Sequence, residues 1–103
     1  MQSILTFKFR TAMTDDAIVA HMDSRREIFR EVEGLLQKYY CREPETGAFC
    51  GVYLFDTAEH AQAYRDGKVI AGIPEALQVE GELRIEQLDF IMALRPDQYV
   101  TQA

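Results

Sequence analysis

A chain of 103 residues with 48% hydrophobic and 27% charged content suits one compact domain, is too short for two, and is only modestly stable unless association buries more of its surface. Its net charge of −6 and pI near 4.8 exclude the cationic excess that a nucleic-acid groove or a polybasic membrane patch requires. No apolar run approaches the roughly 18 residues of a spanning helix, and MQSILTFKFR lacks the long apolar core and cleavage site of a signal peptide, so a cytoplasmic protein is expected.

The chain shows no repeat and no internal linker, and it reads as one β-α-β-β-α-β unit over residues 1–94 with a polar tail over 95–103. From Ser3 to Arg10, Leu5, Phe7 and Phe9 alternate with Ile4, Thr6 and Lys8, the period-two pattern of a strand with one better-buried face. Thr14 offers an N-cap, Asp15 and Asp16 favour a helix start, and Ile18, Met22, Ile28, Phe29 and Val32 recur at helical spacing, predicting a helix over about 15–32 that ends near Gly34.

Leu35 to Glu43 and Phe49 to Asp56 predict a hairpin around a four-residue loop, Pro44 to Gly47. In that register Tyr39, Cys41, Cys50, Val52 and Leu54 share one face, and Lys38, Tyr40, Phe49, Gly51, Tyr53 and Phe55 the other. Asp56-Thr57-Ala58-Glu59 matches a capping box for a second helix, with Ala58, Ala61 and Tyr64 on its sheet-facing side and its end near Gly67. Gly72-Ile73-Pro74 interrupts the chain, Glu75 to Val79 predicts a short helical turn, and Leu83 to Met92 the last strand, whose alternation slips between Ile85 and Leu88 as a bulge would make it.

The strand FCGVYLF is apolar on both faces. Helices cover one face of a single-layer sheet, so the second face calls for another subunit, and a homodimer burying roughly 800 Å² or more per subunit is expected. Cys41 and Cys50 fall opposite each other in the hairpin; in a reducing compartment they are expected as free, structural thiols. Neither lies in a CxxC and the two histidines stand apart, so no metal site is indicated.

Element order and three segments, Gly34-Leu35-Leu36-Gln37-Lys38-Tyr39-Tyr40, Gly51-Val52-Tyr53-Leu54-Phe55 and Ala61-Gln62-Ala63-Tyr64, resemble the YdhR-like mono-oxygenase family of the dimeric α+β barrel superfamily. The resemblance spans about residues 3–94. Two positions depart from the family's pattern: Cys50-Gly51 stands where paired glycines are common, and Tyr40 where a tryptophan is. The resemblance implies an α+β, ferredoxin-like fold with an antiparallel sheet. It also implies a dimer whose sheets pack face to face, and oxygenation of a small aromatic, quinol or polyketide-like ring with neither metal nor flavin.

Such chemistry asks little machinery, because a deprotonated electron-rich phenol can itself reduce dioxygen in a dry pocket with a proton donor or acceptor at hand. The chemically eligible side chains are Lys38, Tyr40, Tyr53, Tyr64, His21 and His60. Tyr53 and His21 are the catalytic candidates. Lys38, Tyr40, Gly51, Tyr53 and Tyr64 are the candidate ligand pocket, with Gly51 beside Tyr40 leaving space for a planar ring. His60, in the first turn of the second helix, is expected to face solvent. Two further classes stay open: a non-oxidative cyclase or isomerase using the same cleft, and a dimer that binds a small aromatic ligand without turnover.

Overall fold

A computed structural model of the chain describes residues 1–95. Nine elements follow one another: β1 (Ser3–Thr11), α1 (Asp15–Ser24), α2 (Arg26–Arg30), β2 (Leu35–Arg42), β3 (Phe49–Phe55), α3 (Ala58–Arg65), α4 (Lys68–Ala71), α5 (Ile73–Ala76) and β4 (Val79–Asp89). The strands form one antiparallel sheet in the order β2-β3-β1-β4, the ferredoxin-like arrangement. The polar tail expected over 95–103 lies outside the described residues except for Arg95. No helix among the described residues is long and apolar enough to cross a membrane.

The helices cover one face. Leu5, Phe7 and Phe9 of β1 and Tyr53 and Phe55 of β3 point into that side and meet Ile18 and Met22 of α1, Ala61 and Tyr64 of α3, and Ile70, Ile73 and Leu77. Edge-on ring contacts tie the layers, Phe7 to Tyr53 at 4.9 Å between centroids and Phe7 to Tyr64 at 6.3 Å. The hairpin has the expected register: Lys38 opposes Tyr53, Tyr40 opposes Gly51 and Cys41 opposes Cys50, both thiols being free.

Four expectations need correction. The first helix breaks at Arg25, because the Ser24 hydroxyl donates to the His21 carbonyl at 2.6 Å and the Arg25 amide turns back to Met22. The N-cap of α3 is Thr57, so His60 rather than Glu59 occupies the third helical position. An additional short helix, α4, fills 68–71, and the helical turn that follows begins at Ile73, with Pro74 in its first turn where a missing amide costs nothing. The last strand starts at Val79 and ends at Asp89; its irregularity sits at Gly81 (φ +76°), where residues 81–83 oppose Phe9 alone. No bulge separates Ile85 from Leu88: three apart, they face opposite sides, Ile85 pairing with Phe7 on the covered face and Leu88 with Ile4 on the open one.

Candidate functional site

Two strands and the α1–α2 segment bring Lys38, Tyr40 and Tyr53 together. Residues 38 of β2 and 53 of β3 are directly opposed on the covered face, and the α1–α2 segment lies over them. The partly buried Lys38 amine is therefore surrounded by rings: its Nζ lies 3.2 Å from the Phe29 ring centroid, 4.6 Å from that of Tyr53 and 4.7 Å from that of Tyr40. Its remaining polar contact is the Met22 sulfur at 3.8 Å, and no carboxylate is within ion-pairing distance among the described residues. Three rings attract the cation, but lost hydration dominates, and burial holds the ammonium pKa down to about 7. A neutral amine near physiological pH is a base ready for use.

Tyr53 is buried, and burial, then the neighbouring Tyr64, holds its phenol far above the ordinary range. It stays protonated and can donate a hydrogen bond but cannot act as a base at neutral pH. Tyr64 is pushed up to about 12 by burial, and its hydroxyl has no hydrogen-bond partner among the described residues. The two phenols are thus close enough to influence each other's ionisation. Tyr40 is half-exposed, and burial of its inner side raises it.

Two cavities share the Phe29 side chain as a wall. The inner one, about 160 Å³, lies under the α1–α2 junction and α4–α5; His21, Met22, Phe29, Tyr53 and Leu77 are among its lining. The outer one is an open groove of about 470 Å³ along β2, lined by Lys38, Tyr40, Phe29, Arg26 and Arg30 among others. Of the sequence-derived candidates, His21 and Tyr53 come together in the first, and Lys38 and Tyr40 in the second. Gly51 and Tyr64 line neither. The space beside Tyr40 that Gly51 was expected to free for a ligand holds the Tyr53 ring: a Cβ at 51 would stand 2.9 Å from Tyr53 Cε1.

His60 does not simply face solvent. Its Nδ1 is 2.7 Å from Asp56 Oδ1 and its Nε2 is 3.4 Å from Glu33 Oε1, so it joins the α2–β2 turn to the β3–α3 corner. The Asp56 bond is the main cause that raises His60, and the same bond lowers Asp56. The clasp is complete with His60 protonated and Asp56 ionised; it is lost as pH rises through the raised His60 value or falls through the lowered Asp56 value. In the sequence Glu33 carries no signal for this role and Asp56 reads only as a capping residue, although its i, i+4 spacing from His60 is the available signal. Among the described residues no cluster of side chains is suited to hold a metal ion. Phe29 and Met22, the side chains that shape both the amine's seat and the inner cavity, carried only a helical-periodicity signal.

Compared with known proteins, residues 4–81 match the model of the family described as "Putative mono-oxygenase ydhR". No curated protein matches the chain. Among solved structures, Rv0793 from Mycobacterium tuberculosis superposes with a TM-score of 0.69 at 9% identity, covering 92% of this chain and 100% of that one. NE2512 from Nitrosomonas europaea gives 0.70 at 15% identity, covering 92% and 94%. SnoaB, a cofactor-independent oxygenase from Streptomyces nogalater, gives 0.68 at 8% identity, covering 90% and 96%. At these identities the likeness concerns the fold.

Proposed function

The chain belongs to the YdhR family, and from that premise we propose that it is a cofactor-independent mono-oxygenase of a small phenol or quinol, working as a homodimer with the substrate in the inner cavity. The observation that carries this reading is the Lys38 amine, unpaired and desolvated among Phe29, Tyr40 and Tyr53 behind the cavity's wall. Support also comes from SnoaB, a cofactor-independent oxygenase on the same fold.

The chemistry balances without a reductant. Lys38 takes the phenol proton; the phenolate gives an electron to dioxygen, and recombination forms a carbon–oxygen bond at a ring CH. The peroxide then loses water, so that phenol and O₂ become quinone and H₂O. Phe29 lines both cavities and stands between Lys38 and a ring seated in the inner one, so the proposed reaction requires Phe29 to turn aside. Tyr53, protonated throughout, donates to the oxygen on which negative charge develops, and His21 carries protons towards solvent. The apolar part of the lining, Met22, Phe29, Ile73 and Leu77, limits hydration of the phenolate ring.

Oxygen uptake with a panel of phenols, naphthols and quinols tests this. For an accepted substrate, kcat/KM is expected to rise with pH and level off above about 7, where Lys38 is neutral. Lys38→Met, which keeps the stem but removes the base, is expected to cost about a hundredfold or more. Uptake that ignores both pH and Lys38→Met would sink the assignment. The same base would equally serve a proton transfer without oxygen, and turnover under anaerobic conditions would establish the cyclase or isomerase reading instead; binding with no turnover would leave a ligand-binding dimer.

A further inference from the structure

The charged groups around the inner cavity are all of one sign. Arg25, at the end of α1, and Lys68, the first residue of α4, line it, and among the described residues no Asp or Glu does. This happens in a chain with 17 acidic residues against 11 Lys and Arg. Nearby arginines are already neutralised: Arg26 lies 2.6 Å from Asp23, and Arg30 lies 2.8 Å from Glu27. Arg25 and Lys68 have no carboxylate within ion-pairing distance among the described residues. The interior is the reverse in character, with Met22, Phe29, Tyr53, Ile73 and Leu77 presenting an apolar lining.

We infer that the inner cavity takes a single-ring aromatic carboxylate bearing a phenol, with its ring against Met22, Phe29 and Tyr53 and its carboxylate held at the mouth by Arg25 and Lys68. The inference rests on the reading above that this cavity is the substrate site. Size sets the ring count: a volume of about 160 Å³ compares with the roughly 150 Å³ of an apolar cavity that holds one benzene ring. Charge sets the substituent. A guanidinium binds a carboxylate through two parallel N–H donors, and an ammonium adds a second, non-directional attraction. Position sets the orientation, since a hydroxyl para to the carboxylate points inward to the wall behind which Lys38 lies.

The test compares 4-hydroxybenzoate with its methyl ester, two ligands that differ at the mouth alone, by calorimetry on the wild-type protein and on the Arg25→Gln/Lys68→Gln double variant. The acid is expected to bind wild type about tenfold more tightly than the ester at low salt, because each exposed charge pair adds a modest factor. That advantage is expected to shrink at high salt and vanish in the variant. Equal ester affinity in the two proteins reports that the variant's cavity is intact. An acid that binds no better than the ester, or a preference that survives the double substitution, overturns the inference and leaves the phenol-site reading standing. Failure of both ligands to bind wild type overturns the two together.

Discussion

The Tyr64 hydroxyl is buried without a hydrogen-bond partner among the described residues, directly beside the protonated Tyr53. An unpaired buried hydroxyl costs desolvation energy that the ring's packing must offset. Tyr64→Phe keeps the ring contacts with Phe7, Tyr53 and Phe55 and removes that cost, so it is expected to leave stability unchanged or to raise it by about 1 kcal/mol. Urea unfolding gives the measurement; a loss of about 1 kcal/mol or more would mean that the hydroxyl is bonded, to an ordered water or a ligand. Lys38 shows what a sequence hides at this scale. Its register opposite Tyr53 was legible from the hairpin, but the depth of its amine depends on Phe29 folding over it, and Phe29 arrives from a separate helix. Gly51 is similar: its place opposite Tyr40 was readable, whereas the ring that crosses it comes from two residues along its own strand.

At the level of elements, local signals succeeded where one rule acted alone. Thr14 caps α1 through the Ala17 amide at 3.1 Å, and the four-residue loop closes the hairpin through Glu43 and Ala48 at 2.8 Å. They failed where two rules competed. Ser24 fits the helical period yet bonds back to His21, and Glu80-Gly81-Glu82 looks too polar and flexible for a strand although both flanks pair with β1. The turn at Gly34 is the junction most sensitive to change. Its φ of +80° is left-handed, and an added Cβ would fall on Asp56 and on the His60 ring, breaking the clasp that ties α2–β2 to β3–α3. Gly34→Ala is therefore expected to cost about 2 kcal/mol, from backbone strain together with the displaced histidine. Thermal and urea unfolding would read it, and a change below about 0.5 kcal/mol would show that the turn relaxes freely.

For the molecule as a whole, the covered face accounts for one side of the sheet only. The open side carries Ile4 and Thr6 of β1, Tyr39 and Cys41 of β2, Cys50 and Val52 of β3 and Leu88 of β4, with Tyr39 44% and Leu88 50% exposed. Two charges on it are already paired, Lys8 with Glu43 and Arg84 with Glu86, which leaves fewer ions to be stranded when this face is covered. After β4, Ile91, Met92 and Leu94 add exposed apolar surface. A second copy packed sheet to sheet would cover such a face with the same chemistry on both sides, closing a barrel with the helices outside. We expect a dimer at low micromolar concentration, with roughly 800 Å² or more buried per subunit. Val52→Asp places a charge in the middle of that face and is expected to yield monomer, with Cys41 alkylating faster in the variant than in wild type. Sedimentation decides it: a folded wild-type monomer at that concentration would leave the open face without its proposed partner, and a Val52→Asp protein that remains dimeric would move the interface elsewhere.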